Sequence, residues 1–131
     1  MVSTRTIRVV AAVIEHDGRY LITQRRPSAV LPLLWEFPGG RVEEGESDTS
    51  ALKREVHHRL GVDVQAGKLM SYVSHPYEQY VVELYLYEGK LLEGQPSAVN
   101  VRDFRWVKSE DFERYPFTPA DEASMTKLLG L

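Results

Sequence analysis

The segment between Gly40 and Gly61 constrains the fold of this chain more than any other. Ser47 and Asp48 can cap the start of a helix, and Gly61 can end it, because glycine readily adopts the left-handed conformation. Between these limits the apolar side chains recur every four residues, which places them on one face of a helix. They are Leu52, Val56 and Leu60. The sequence therefore predicts an amphipathic helix with its apolar stripe against a core.

Segments typical of β-strands lie on both sides of this helix. β-branched residues cluster from Ile7 to Ile14, and a second apolar run begins at Tyr20. Asp17 and Gly18 lie between them, and Asp-Gly in this position is a strong hairpin signal. Three later runs have the composition of strands, at residues 69–73, 80–87 and 104–107. The last apolar segment, at residues 121–129, favours a helix. This order predicts an α/β fold with a mixed sheet flanked by helices.

Length and composition limit the classes of function. With 131 residues and 43% hydrophobic content, we expect a single domain over residues 1–131 with its own core. A formal net charge of −3 gives no general attraction for anionic polymers, so we expect neither a nucleic-acid nor a membrane partner. There is no cysteine, which excludes thiol chemistry and fits a reducing compartment. Without a run of signal-peptide or membrane-span type, the expected location is the cytoplasm.

The helix and the loop before it match a known motif when they are read in one register. Gly40 is followed by Glu46, then by Arg54-Glu55-Val56, then by Gly61-Val62. The Nudix box has the pattern Gly, five residues, Glu, seven residues, Arg-Glu-aliphatic, any residue, Glu-Glu, any residue, Gly-aliphatic. The chain therefore resembles the Nudix family of pyrophosphate-cleaving enzymes. Residues 35–39 resemble the family's common lead-in to the box, and later segments resemble landmarks of its MutT branch, at residues 93–95, 104–106 and 115–121.

This resemblance implies a fold and an activity. The fold is a Nudix-like α/β/α sandwich with a mixed β-sheet and an N-terminal hairpin. The activity is that of a pyrophosphohydrolase that cleaves a phosphoric anhydride bond in nucleoside di- or triphosphates or related nucleotides. A nucleotide is thus the expected small-molecule partner, and a monomer or a homodimer would fit the sequence. By resemblance, the catalytic positions are held by Glu46, Arg54 and Glu55.

The same resemblance implies a divalent metal. Cleaving a phosphoric anhydride requires neutralised phosphate oxygens and an oriented water, which is usually achieved with Mg²⁺ held on carboxylates. In the family, three helix carboxylates and the carbonyl at the position of Gly39 bind the metals, so Mg²⁺ or Mn²⁺ is the implied cofactor. Here His58 and Arg59 occupy two of the three acidic positions. The summed charge of the three positions therefore changes from −3 to about zero when His58 is neutral. We therefore expect weakened metal binding, with Gly39, Glu55 and His58 as the candidate ligands.

Several residues near the altered positions have more than one interpretation. Glu55 is either a metal ligand and water-activating base or the helical ion-pair partner of Arg59, which follows it by four residues. His58 is a solvated helix residue, a substitute ligand suited to Mn²⁺ or Zn²⁺, or a base or phosphate donor. Glu83 or Glu88 could supply a further acidic ligand, and the spacing does not choose between them.

The substrate side is predicted in similar terms. The candidate substrate-binding residues are Arg25, Glu36, Phe37, Gly40, Arg59 and Asp121. Arg25 is either a phosphate-binding arginine or a solvated strand end. Asp121 either contacts the edge of a base or caps the last helix. The partly apolar loop at residues 27–35 is of the kind that can line a ligand site. Four aromatic residues are expected mostly in the core or on the sheet, with one available to stack on a base: Trp35, Tyr77, Tyr80 and Phe117.

These features leave two main functions open. The first is an active nucleotide hydrolase in which Glu55 is the base. The second is a catalytically inactive nucleotide-binding or regulatory module, in which Arg59 contacts phosphate directly, because a planar guanidinium suits phosphate. A third class is a protein- or DNA-interaction domain like the metal-free Nudix-related domain of adenine glycosylases. The net charge of −3 disfavours DNA as a partner.

Overall fold

A computed structural model describes residues 5–129 of the protein. Within these residues the chain forms seven strands, two α-helices and one short 3-10 helix. The strands are β1 (Arg5–His16), β2 (Arg19–Gln24), β3 (Trp35–Glu36), β4 (Gly39–Arg41), β5 (Val64–Pro76), β6 (Tyr80–Leu91) and β7 (Asp103–Val107). The helices are α1 (Asp48–Leu60), the 3-10 helix Ser109–Arg114 and α2 (Pro119–Leu129). No helix in this part of the chain is long and apolar enough to cross a membrane.

The predicted N-terminal hairpin is present. β1 and β2 pair antiparallel next to a tight turn at Asp17 and Gly18, whose φ angles are 51° and 77°. Two consecutive residues with positive φ are typical of the hairpin turns that follow the twist of their strands, and Asp-Gly suits them well. β2 continues the sheet by pairing antiparallel with β3 and β7.

The sheet is mixed, as predicted, and β1 is its central strand. On one edge β1 pairs in parallel with β6, from Arg5 opposite Tyr80 to Ile14 opposite Gly89. On its other edge it pairs antiparallel with the short strand β4. β6 in turn pairs antiparallel with β5. β6 is therefore parallel to its neighbour on one edge and antiparallel on the other.

Helices cover both faces of this sheet. Val10, Ala12 and Ile14 of β1 belong to a buried cluster that contains the apolar stripe of α1. The alternate residues Ala11 and Val13 belong to a second cluster, formed with aromatic and α2 side chains on the opposite face. Because successive side chains of a strand point to opposite faces, β1 contributes to both cores. This arrangement confirms the α/β/α sandwich.

Both ends of α1 are formed by local contacts. The side chain of Ser47 accepts a hydrogen bond from the backbone N–H of Ser50 at 3.1 Å. At the other end Gly61 has a φ of 70°, and its N–H donates to the carbonyl of His57 at 2.9 Å. The predicted cap residues therefore define the helix. α2 begins at Pro119, two residues before the predicted start at residue 121.

Candidate active site

The six candidate substrate-binding residues line a single cleft of about 380 Å³. It opens beside β1, β6 and the start of α2, and the loop after β2 contributes Val30 and Leu31 to its wall. The loop that was expected to line a ligand site therefore forms part of the wall of this cleft. The candidates that share the cleft are Arg25, Glu36, Phe37, Gly40, Arg59 and Asp121.

The loop before α1 is held to the helix by an ion pair between Glu46 and Arg54. Nε and Nη2 of Arg54 donate to the two carboxylate oxygens of Glu46 at 2.8 and 2.9 Å. The same Nη2 donates to the carbonyl of Arg41 at 2.9 Å. The Arg54 guanidinium and the backbone N–H of Glu43 together lower the pKa of Glu46 to about 2. This geometry fixes the loop between β4 and α1 without any metal.

Glu55 lies beside the cleft, in a neighbouring cavity of about 300 Å³ that it shares with Arg25, His58 and Arg59. Both of its carboxylate oxygens are hydrogen-bonded. Oε1 accepts from Nη1 of Arg54, and Oε2 accepts from Nε of Arg59 at 3.0 Å. The carboxylate packs against Gly40, where an added Cβ atom would lie only 2.2 Å from Oε2. Glycine at this position therefore makes room for Glu55. The expected helical ion pair with Arg59 is present, and it leaves the Glu55 carboxylate between two cations.

Glu36 connects this helix to the end of β2. Nη1 of Arg59 donates to Oε2 of Glu36 at 3.2 Å, and Nη1 of Arg25 donates to Oε1 at 3.1 Å. Nε of Arg25 also donates to the carbonyl of Val30 at 2.7 Å. The interpretation of Arg25 as a solvated strand end is therefore wrong, because the guanidinium is held between a carboxylate and the loop that lines the cleft.

These contacts form one continuous series of alternating charges, which we call the ion-pair chain. Its carboxylates and guanidiniums neutralise one another in pairs, from the loop before α1 to the end of β2. In order, it consists of Glu46, Arg54, Glu55, Arg59, Glu36 and Arg25.

Asp121 lies elsewhere in the cleft and is buried, with 5% of its surface exposed. One oxygen accepts a hydrogen bond from the backbone N–H of Phe37 at 3.0 Å, and the other accepts from the hydroxyl of Thr118. Burial and the charge of Glu36 raise the pKa of Asp121 to about 7. The proposal that Asp121 caps α2 is wrong, because it lies within the first turn and Thr118 accepts from the backbone N–H groups of Asp121 and Glu122.

Two of the four candidate aromatic residues lie in this cleft and two lie in the core. Trp35 and Phe117 are each 7% exposed and belong to the core cluster beside α2. Tyr77 and Tyr80 line the cleft, with ring centroids 5.2 Å apart and nearly parallel planes. The turn between β5 and β6 brings these rings together, because the N–H of Tyr77 donates to the carbonyl of Tyr80 at 2.7 Å. They form an aromatic wall beside the polar groups.

Comparisons with known proteins assign the chain to a family. The family model described as NUDIX domain matches residues 9–127. The chain belongs to the Nudix family. It is 33% identical to the CTP pyrophosphohydrolase of Escherichia coli over 97% of this chain and 94% of the relative. It is also 27% identical to the 8-oxo-dGTP diphosphatase of Haemophilus influenzae, over 96% and 93% of the two chains.

A solved structure supports the same assignment to the MutT-like branch of the Nudix family. The MutT protein of Staphylococcus aureus, determined by NMR, superimposes with a TM-score of 0.76 and 30% sequence identity. The match covers 98% of this chain and 98% of the other. The fold and the branch implied by the Nudix box are therefore confirmed.

Nudix proteins generally use a divalent metal, but the residues of this chain do not fit one. Within residues 5–129, no group of three His, Cys, Asp or Glu side chains could hold a metal ion. Both oxygens of Glu55 accept from guanidinium groups, and Arg59 lies where the Nudix box carries a carboxylate. His58 is exposed on α1 and adds one imidazole to this arrangement. The site is built for arginine side chains rather than for a hard cation.

The further acidic ligand considered for the Nudix site is not supplied from β6. Val82 and Leu84 line the cleft, so Glu83 between them points to the opposite face of the sheet. Glu88 lines a separate cavity of about 680 Å³. Of residues 5–129, then, neither Glu83 nor Glu88 lines the cleft beside Glu55.

Sequence reasoning missed several cleft residues, among them Arg5, Arg41 and Thr118, and the pairing of two others. Arg41 lines the cleft, and its carbonyl accepts from Arg54. Its position directly after the glycine pair was the available signal. The pairing of Tyr77 with Tyr80 was also missed, although Tyr77 lies three residues before the start of the predicted strand 80–87, a spacing compatible with a shared turn.

Proposed function

We propose that this Nudix protein binds a nucleoside di- or triphosphate in the cleft and cleaves a phosphoric anhydride bond of it as a pyrophosphohydrolase. One observation carries the proposal: groups suited to a base and groups suited to phosphate line the same cleft. The named activities of the relatives, a CTP pyrophosphohydrolase and an 8-oxo-dGTP diphosphatase, support this class of substrate.

The part of the cleft around Asp121 suits a nucleobase. A carboxyl group can accept from an amino or imino group on a base edge, as on cytosine or guanine. Tyr77 and Tyr80 offer aromatic faces, on which bases of any kind can stack. Asp121 and the tyrosine pair are thus the proposed base-recognition residues.

The part of the cleft around Arg25 and Arg59 suits the phosphates. Guanidinium groups bind phosphate oxygens through charge-assisted hydrogen bonds, often two at once. Both arginines are fixed on Glu36, so little side-chain freedom remains to be lost on binding. They are the proposed phosphate-binding residues, and Gly40 lines the same cleft.

Glu55 is the proposed base for the hydrolytic step. Water would attack a phosphorus atom of the anhydride, the phosphorus–oxygen bond to the leaving phosphate would break, and the water proton would pass to the Glu55 carboxylate. Arg54 and Arg59 both donate to that carboxylate, so a water molecule has to compete with these hydrogen bonds to reach it. We therefore expect slow turnover, with Glu46 and Arg54 acting as positioning residues.

The test is release of phosphate or pyrophosphate from a nucleotide panel that includes CTP and 8-oxo-dGTP, with Mg²⁺ or Mn²⁺. The wild type should release product slowly, and Glu55→Gln should abolish the release. A variant with an acidic box, His58→Glu with Arg59→Glu, should be faster. The matched control, Lys53→Glu with His57→Glu, makes the same change in charge at two exposed positions of α1 and should behave like the wild type. Product release by the acidic-box variant alone would rule out hydrolysis by the natural chain.

A second candidate is a catalytically inactive nucleotide-binding module. The bridging of Glu55 and Glu36 by Arg59 favours it, because this bridge engages the carboxylate that hydrolysis needs. In that case the wild type would bind nucleotides in the cleft and leave them intact, and Glu55→Gln would not change the amount of nucleotide recovered.

A further inference from the structure

The altered Nudix box carries a guanidinium group, that of Arg59, at a position where the family pattern has a carboxylate. This changes how the cleft can bind phosphate. The three carboxylates of the ion-pair chain are matched by three guanidiniums, so these six side chains have no net charge even without a bound ion. Acidic residues at positions 58 and 59 would instead leave a net negative site that repels phosphate until cations bind. Here His58 and Arg59 remove that repulsion.

We infer that this cleft binds the phosphate groups of its nucleotide directly on Arg59 and Arg25, without a divalent cation. The inference rests on the proposed nucleotide function and deepens it, since it states how the phosphates are held.

The hydrogen bonds of the two arginines leave donors for such a ligand. Arg59 uses Nε for Glu55 and Nη1 for Glu36. Arg25 uses Nε for the carbonyl of Val30 and Nη1 for Glu36. Among the hydrogen bonds of residues 5–129, neither Nη2 atom donates to a protein group. Each guanidinium is thus fixed by two of its nitrogens and keeps the third for an anion.

The position of these donors fits a polyphosphate. Both guanidiniums contact the same Glu36 carboxylate, so they lie side by side, and both line the cleft. Their side chains are 21% and 23% exposed, which leaves them accessible yet only partly hydrated. Two neighbouring, partly desolvated cations are suited to two linked phosphate groups.

A divalent cation would be disfavoured at the same place. It would have to displace guanidinium donors from the oxygens of Glu55, and it would then lie close to the positive charge of Arg59. The single imidazole of His58 does not compensate for the missing carboxylates, because Mg²⁺ prefers oxygen ligands. The same guanidinium that excludes the metal supplies the charge that the phosphate needs.

The experiment measures the affinity of the full chain for the α,β-methylene analogues of CTP and dGTP by calorimetry, with Mg²⁺ and with EDTA. These analogues cannot be cleaved between the α- and β-phosphates. We expect dissociation constants that agree within about twofold in the two conditions. Arg59→Ala should weaken binding by roughly tenfold or more in both, because a charge-assisted contact is lost.

The variant His58→Glu with Arg59→Glu should show the opposite behaviour. Its affinity should become dependent on Mg²⁺ and fall by roughly tenfold or more in EDTA. Without nucleotide, Mn²⁺ should raise its melting temperature and leave that of the wild type unchanged. The control Lys53→Glu with His57→Glu should bind the analogues equally well with and without metal.

Three results would overturn the inference. Strictly metal-dependent binding by the wild type would refute it and leave the proposed nucleotide function standing. Wild-type affinity of the acidic-box variant in EDTA would show that Arg59 is not a phosphate ligand. Absence of binding by the wild type to either analogue, with and without metal, would refute both this inference and the proposed function.

Discussion

Asp121 is a buried carboxyl group whose protonation is coupled to folding. Burial and the nearby charge of Glu36 raise its folded pKa to about 7, from 3.8 in the absence of such surroundings. The folded state therefore binds this proton more tightly than the unfolded state does. Its contribution to stability is complete when the pH is below the pKa of the unfolded state. It is lost as the pH rises through the pKa of the folded state.

We predict that Asp121→Asn removes part of the pH dependence of stability. Between about pH 4 and pH 7, the free energy of unfolding of the wild type should decrease relative to that of the variant. Urea unfolding of both proteins across this range measures the difference, and contributions from groups that do not interact with Asp121 cancel. Two stability curves that stay parallel over the whole range would contradict the raised pKa.

Residues differ in how far the sequence alone reveals their roles. Thr118 precedes Asp121 by three residues, a spacing typical of helix N-termini, so local sequence carried a signal for the cap, although the prediction assigned it to Asp121. The pairing of Glu36 with two arginines has no such signal in the local sequence. Its partners Arg25 and Arg59 lie 11 and 23 residues away, and only tertiary structure brings them to one carboxylate.

At the scale of elements, the start of α1 is fastened to the sheet through Asp48. Nε and Nη2 of Arg8 on β1 donate to its two oxygens at 2.8 and 2.7 Å, and the hydroxyl of Tyr87 on β6 also donates to it. The hydrogen bonds from Arg8 hold the pKa of Asp48 below its usual range. One carboxylate thus joins a helix to two neighbouring strands.

We predict that Asp48→Asn lowers the free energy of unfolding by about 1 kcal/mol at pH 7, since Arg8 is partly exposed and its contribution is screened. The pKa of Asp48 is lower in the folded state than in the unfolded state, where it is 3.8. This stabilisation is therefore present when the pH is above the unfolded-state pKa and is lost as the pH falls through the folded-state pKa. Thermal or urea unfolding at several pH values is the measurement. Tyr87→Phe, which keeps the Arg8 pair, should cost less. A stability difference that persists unchanged into strong acid would speak against the role of the charge.

Elements that have signals in their own sequence were predicted. Elements that form only by pairing with a strand distant in sequence were not. α1 was readable because Ser47 and Gly61 cap it within its own sequence. β4 was missed, since its sequence Gly-Gly-Arg has little strand propensity and it becomes a strand only by pairing with β1. Gly39 allows this pairing, because a Cβ atom there would lie 2.0 Å from the carbonyl oxygen of Val10. The parallel pairing of β1 with β6 likewise has no local signature.

At the scale of the whole molecule, the ion-pair chain connects parts that are distant in sequence. Glu36 on β3 receives Arg25 from the end of β2 and Arg59 from α1. Its side chain is only 14% exposed, so an unpaired charge there would be poorly hydrated. Either arginine alone can still neutralise it.

We predict that Arg25→Ala and Arg59→Ala are coupled in their effect on stability. The double variant leaves Glu36 without a cation, so its loss of unfolding free energy should exceed the sum of the single losses by about 0.5–3 kcal/mol. A double-mutant cycle by urea unfolding measures this coupling. The reference cycle combines Arg59→Ala with Arg105→Ala, whose partner is Asp103, and should be additive. Additivity in the Glu36 cycle would mean that the two arginines stabilise the fold independently.

The parallel pairing at the centre of the sheet also determines when the protein can fold during its synthesis. β1 is made first, yet its parallel partner begins about 75 residues later. At about 5–20 residues per second, roughly 4–15 s pass before β6 follows β1 out of the ribosome. During that interval the apolar strand Val9–Ile14 has only the hairpin, β4 and α1 to cover it. β1 is synthesised before β6, yet its pairing is thus among the last to be completed.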